Sequence, residues 1–204
     1  MSRYDAFFFD FDGVLADTEP VHFRVWRELL LPLGISLTWD YYERECIGVT
    51  DSAMLAKLGQ LADPPKAINE LMPLYPLKRE RFRYVASVDP PLTSSTIAAV
   101  EALRGMKLAV VTSSRRSEVE PILLKAGILN CMTACVFGDE TQNHKPLPEP
   151  YLKAVERTGA DRALVFEDSP AGIASAQAAG LEVVHVRHAF DLPGLIRAAM
   201  ENGA

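Results

Sequence analysis

The sequence lacks what a membrane, nucleic-acid or disulfide-stapled protein would need. No apolar run approaches the roughly 18 residues that span a bilayer. Phe7-Phe8-Phe9 is cut off by Asp10 and Asp12 and is too brief for a secretory signal. No Lys/Arg run is long enough to follow a phosphate backbone, and the formal charge is −6, which argues against a nucleic-acid surface. Lys78-Arg79-Glu80-Arg81-Phe82-Arg83, the most basic stretch, reads as a solvated helix face. Cysteine is scarce: three residues, an odd number, fit free thiols in a reducing cytoplasm better than a disulfide framework. Cys131 and Cys135 have zinc-like spacing, but no second ligand pair follows. Repeats and low-complexity segments are absent as well. The expectation is a cytoplasmic protein with no membrane or nucleic-acid partner, of a composition that suits a monomer.

What is present is the profile of a globular α/β chain, 49% hydrophobic and 24% charged. Five short apolar runs read as buried strands: Tyr4 to Phe9, Lys107 to Val111, Thr133 to Phe137, Ala163 to Phe166 and Leu181 to Val186. After residue 90 they alternate with helical stretches, which predicts a parallel, Rossmann-like sheet with helices on both faces. Pro148-Glu149 opens one helix that Gly159 closes, and Ala171 to Ala179 forms another that stops at Gly180. Leu192 to Met200 reads as a packing helix at the end.

The first strand is followed by a long helical stretch instead. Val21, Val25, Leu29 and Leu33 recur at helical spacing, with Trp26 and Leu30 widening the stripe. Thr50 reads as the N-cap of a helix carrying Met54, Leu55, Leu58 and Leu61. Pro73 and Pro76 predict a kink or two shorter helices between 64 and 85. The reading is a core of residues 1–14 and 90–204 interrupted by an α-helical cap of residues 15–89.

Two strands end in paired acids, Asp10/Asp12 and Glu167/Asp168, where open α/β sheets bind ligands. If the strands lie in one sheet, each close carboxylate pair repels by about 3 kcal/mol at ~5 Å. Such a site asks for a hard cation, and Mg²⁺ fits because it combines carboxylates, waters and substrate phosphate. Two further strand ends offer what an anion needs: Thr112-Ser113-Ser114 supplies hydroxyls and N–H groups, and Lys145 supplies a positive charge.

These residues carry a family resemblance. DFDGVLADTEP, VVTSS, KPLPEPY and EDSPAGIASAQAAG resemble, in order, the four motifs of the haloacid dehalogenase-like superfamily, and the helical insert resembles the cap of its β-phosphoglucomutase-like group. The resemblance implies that Asp10 is a nucleophile forming an aspartyl phosphate and that Asp12 is a general acid/base. It implies that Thr112, Ser113 and Lys145 hold phosphoryl oxygens. Mg²⁺ would be bound by Asp10, Asp168 and the Asp12 carbonyl, with Glu167 assisting directly or through water. His22, Ser114 and Arg115 would face a small phosphorylated substrate.

Asp12 argues against the dehalogenase branch, which needs no acid there, and against the phosphonatase branch, whose pattern has alanine there. In the mutases a lysine and an arginine flank a Gly-Val-Ser segment of the cap and contact substrate. Here Ile47 and Asp51 flank Gly48-Val49-Thr50, and Asp51 would repel a second phosphate. The expectation is therefore a phosphatase for a small phosphate monoester, sugar phosphates among them, with a phosphomutase as the alternative. A receiver-type signalling module also uses an Asp acceptor with Mg²⁺, Thr and Lys, but it has neither the helical insert nor a use for Asp12.

Overall fold

A computed structural model of the chain describes residues 3–201 and divides into two compact units. One comprises the chain up to Asp17 and from Pro90 onward; the other is Thr18–Asp89. The sequence reading puts the first crossing at 14/15. Residues 15–17 stay with the first unit because Asp12 and Ala16 form an isolated bridge and the Asp17 N–H donates to the Pro91 carbonyl at 2.8 Å.

The first unit opens with β1 (Ala6–Phe9), in which every side chain is buried. The second unit then intervenes. Its α1 (Glu19–Leu30) has a proline in the first turn and ends in a short 3-10 turn that Gly34 closes. α2 (Trp39–Glu45) and α3 (Asp51–Gly59) are capped by Thr38 and Thr50, whose hydroxyls accept the N–H of Tyr41 and Ala53. The prolines split the last stretch into α4 (Ile68–Leu71) and α5 (Leu74–Val88). Trp26, Leu30, Ile35, Tyr42, Leu55 and Leu58 form this unit's core.

The basic run is exposed at Glu80, Arg81 and Arg83, as a solvated helix face would be, but the expectation fails at Lys78. Lys78 is not on a solvated face: it is only 8% exposed, and its ammonium lies 5.7 Å from the ring centroids of both Trp26 and Phe82. The aliphatic stem packs inward while aromatic faces accommodate the charge.

After Pro90 come α6 (Ser94–Glu101), β2 (Lys107–Val111), α7 (Arg116–Lys125), β3 (Ala134–Val136), α8 (Glu149–Thr158), β4 (Ala163–Glu167), α9 (Pro170–Ala178), β5 (Glu182–His185) and α10 (Leu192–Glu201). β3 is shorter than the apolar run suggests, since the Phe137 N–H turns to the Glu140 carboxylate. The five strands are all parallel in the order β3-β2-β1-β4-β5. Both faces of the sheet are covered, which is why β1, β2 and β4 read as continuous apolar runs. Phe7 and Phe9 pack on Phe166 from one side, edge-on at 5.6 Å and stacked at 5.2 Å. Phe8 packs on the other, among Ala109, Val165, Tyr151 and Ala176. Each buried phenylalanine contributes on the order of 2–3 kcal/mol. Among the described residues no helix is long and apolar enough to cross a membrane.

The strand order reverses between β1 and β4, so the carboxyl ends of these two strands flank the crevice where such sheets hold ligands. The loop after β3 reaches the same edge and is pinned by Glu140. Its carboxylate accepts from Arg116 at 2.6 Å, Arg157 at 2.9 Å and the Phe137 N–H. Burial alone would raise this carboxyl, but the two guanidinium groups and the N–H outweigh it and hold its pKa at about 2. A depressed folded pKa gives stability that is present in full above the ordinary value of 4.5 and lost as pH falls toward 2. Glu140→Gln is accordingly expected to cost about 1–2 kcal/mol in urea unfolding at pH 7. The gap between variant and wild type should narrow steadily from pH 4.5 downward.

Candidate active site

Register builds the site. Phe9 pairs with Phe166 and Val110, so the residues that follow, Asp10, Glu167 and Val111, are neighbours across β4, β1 and β2. The Asp10 N–H donates to the Phe166 carbonyl at 3.0 Å, which holds Asp10 to the sheet one residue past β1. Asp10, Glu167 and Thr112 are all buried.

Lys145 enters from the loop after β3, with its side chain 6% exposed. Its ammonium donates to Asp10 Oδ1 at 2.6 Å, to the Val111 carbonyl at 2.9 Å and to Glu167 Oε1. Three buried partners fix the charge at one point. Burial would lower the Lys145 pKa, yet the two carboxylates reverse that and raise it, so it is a cation at any physiological pH.

Both oxygens of Glu167 are spoken for. Oε1 accepts from Lys145 and from the Tyr151 hydroxyl at 3.1 Å; Oε2 accepts from the Ser169 N–H at 3.0 Å and its hydroxyl at 3.1 Å. A Cβ at position 172 would collide with this carboxylate, so Gly172 in the first turn of α9 leaves room for it. The Tyr151 ring, buried under the site, also lies 5.2 Å from the Lys145 ammonium. Gly13 serves Asp168 likewise: at φ 76° it suits glycine, and a Cβ there would strike the Asp168 carboxylate.

Asp10, Glu167 and Asp168 each offer an oxygen within 4.8 Å of the others. Burial pushes the Asp10 carboxyl up against the pull of Lys145, and Glu167 and Asp12 add to the rise. Burial and then Glu167 raise Asp168 to about 6. Three carboxylates sharing one ammonium are short of positive charge, and a hard divalent cation is what such a donor set accommodates. The Asp12 carboxylate lies outside this trio; its Oδ2 accepts the Ser114 hydroxyl at 2.7 Å. Thr112 Oγ1 accepts the Ser114 N–H at 3.0 Å, while Ser113 and Arg115 are exposed at the same strand end.

The structure thus brings together Asp10, Asp12, Thr112, Ser114, Lys145, Glu167 and Asp168. His22 belongs to the helical unit, where its ring stacks on Phe82 with centroids 4.1 Å apart. Burial, and then the Lys78 charge, push its pKa down to about 3, and among the described residues its Nδ1 has no hydrogen-bond partner. Tyr151, Ser169 and Gly172 are the residues that motif reading passes over. Their spacing from Lys145 and Glu167 is visible in KPLPEPY and EDSPAG, but nothing in the letters says that they converge on one carboxylate.

Residues 7–186 match the family profile described as haloacid dehalogenase-like hydrolase. The chain belongs to this family. Among its relatives, fructose-1-phosphate phosphatase YqaB of Escherichia coli is 31% identical over 194 residues, covering 91% of this chain and 97% of the relative. The phosphorylated carbohydrates phosphatase of Thermotoga maritima is 29% identical, covering 89% of this chain and 84% of its own. The crystal structure of CbbY from Rhodobacter sphaeroides in complex with phosphate superposes with a TM-score of 0.63 at 26% identity, over 88% of this hydrolase and 84% of that chain. Parallel sheet and inserted helical cap are therefore the family architecture as well as the observed one.

Proposed function

We propose that this hydrolase is a Mg²⁺-dependent phosphatase acting on a small phosphate monoester through an aspartyl phosphate on Asp10. The observation that carries the reading is the buried Asp10–Lys145–Glu167 ion-pair set with Asp168 beside it, at the reversal point of the sheet. Asp10 attacks phosphorus, and the ester oxygen leaves with a proton from Asp12. Asp12 then takes a proton from the water that hydrolyses the aspartyl phosphate, so one water is consumed and alcohol and phosphate are released. Lys145 neutralises the transferring phosphoryl oxygens. The Thr112 hydroxyl, already an acceptor from the Ser114 N–H, keeps its own proton to donate to them.

Asp10, Asp168 and the Asp12 carbonyl would hold Mg²⁺, which when bound supplies the positive charge that draws substrate phosphate to the site. Glu167, with both oxygens engaged, acts on Lys145 and contributes charge. Ser113, Arg115 and the neutral His22 are the groups proposed for phosphate and substrate recognition. Similarity to the Escherichia coli and Thermotoga maritima phosphatases supports a sugar phosphate as substrate. Ile47 and Asp51 in place of the mutases' lysine and arginine argue against phosphomutase activity.

Phosphate release from a panel of sugar and small-metabolite phosphates, with Mg²⁺ or EDTA, tests the proposal. Mg²⁺ is expected to support turnover of at least one sugar phosphate, and EDTA to remove it by about 100-fold or more. Sugar-phosphate isomerisation outrunning phosphate release would instead make the enzyme a mutase.

A further inference from the structure

Ser114 follows β2 at the strand end that also carries Thr112. All three of its polar groups are committed within the sheet unit: its N–H donates to Thr112 Oγ1 at 3.0 Å, its carbonyl accepts the Gly138 N–H at 2.9 Å, and its hydroxyl donates to Asp12 Oδ2 at 2.7 Å. Two backbone bonds fix where the Cβ points, and the third bond spends the hydroxyl on a carboxylate. An ordinary helix-start role is not available to that hydroxyl. The N-cap of α7 is Arg115, and its backbone N–H goes to the Glu118 side chain. At 2.7 Å the contact has the length of a good O–H···O bond, strengthened by the charge on the acceptor.

We infer that Ser114 is a positioning residue that sets the orientation of Asp12 for proton transfer. The inference rests on the acid/base role given to Asp12 above. Asp12 stands on the loop after β1 and Ser114 on the loop after β2, so the bond ties the acid/base to the strand end that carries Thr112. With Oδ2 held as an acceptor, the proton that Asp12 passes sits on Oδ1, and the carboxylate needs no reorientation between giving a proton to the leaving oxygen and taking one from water. Removing the tether takes away a bond that orients the carboxylate, which slows proton transfer without weakening substrate binding.

The distinction is measurable because not every leaving group needs a proton. For an alkyl phosphate such as a sugar phosphate, Ser114→Ala is expected to lower kcat by about tenfold or more with KM changed by less than about twofold. Single-turnover release of 4-nitrophenolate from 4-nitrophenyl phosphate, whose leaving group departs unprotonated, should stay within about threefold of wild type. Ser114→Thr, which keeps the hydroxyl, should restore most of kcat. A rise in KM with kcat intact would make Ser114 a substrate contact and overturn the inference, as would equal losses with both leaving groups. Should wild type release no phosphate from either compound, the phosphatase reading falls on its own. The tether is then decided by the crystal structure of Ser114→Ala: an Asp12 carboxylate displaced from its wild-type position supports it, and one left in place overturns it.

Discussion

Asp10→Asn is expected to leave a folded protein with turnover reduced by about 10⁴-fold or more. The substitution keeps shape and removes the nucleophilic charge, so no aspartyl phosphate forms and the remaining groups have no covalent route. Stability should hardly suffer. Burial and the charges of Glu167 and Asp12 already work against an ionised Asp10, and Lys145 keeps Glu167 as its ion-pair partner. A melting temperature within about 4 °C of wild type is the expected companion result. Measurement of kcat beside a thermal melt separates lost chemistry from lost fold, and a variant that retains a tenth of wild-type activity would remove Asp10 from the nucleophile's role.

Lys145→Met is expected to damage fold and chemistry together. The ammonium is buried between two carboxylates and is the counter-charge for a cluster that also contains Asp168. Methionine approximates its volume and supplies no charge, so Asp10 and Glu167 are left buried without their counter-charge, a situation that costs about 3–5 kcal/mol. For a chain of this size that corresponds to a fall in Tm of roughly 6–20 °C. Added Mg²⁺ should recover part of the loss, because a cation held by Asp10 and Asp168 replaces some of the missing charge and binds only the folded state. Calorimetry with and without Mg²⁺ reads both effects. Unchanged stability would mean that the ion-pair set is not what the geometry indicates, and activity should still fall about 10³-fold because phosphoryl oxygens lose their fixed cation.

Much of this was legible in the letters because the informative signals are local. An apolar strand ending in Asp-Phe-Asp-Gly, and another ending in Glu-Asp-Ser-Pro, break the burial pattern at one edge of a parallel sheet, and register then brings Asp10 beside Glu167. Thr50 as a cap and the split between α4 and α5 follow equally from single residues and their neighbours. What the letters hide is packing across the chain. α2, with the sequence WDYYERE, has little helical patterning of its own; Tyr42 holds it by burying its ring and donating its hydroxyl to Glu19 at 2.7 Å. Lys78 sits in a charged run and looks solvated until Trp26 and Phe82 are placed against it.

The site shows the same division. The sequence names Glu167 among the metal-binding acids, and the structure sets it in one group with Asp10 and Asp168; what the letters hide is that Lys145, Tyr151 and Ser169 also bond its carboxylate, contacts made between a loop, a helix and a strand end. The room left by Gly172 for that carboxylate is likewise a property of how α9 meets β4, with no signature in a helix otherwise rich in small residues.

The central claim is that the phosphoryl group passes through Asp10. Mixing the enzyme with Mg²⁺ and its best substrate, quenching within a turnover and reducing with borohydride converts an aspartyl phosphate to homoserine, which peptide mass mapping locates. Homoserine at position 10, absent when substrate or Mg²⁺ is withheld, is the predicted result. Reduction at a different carboxylate, or rapid turnover with position 10 left as aspartate throughout, would contradict the account.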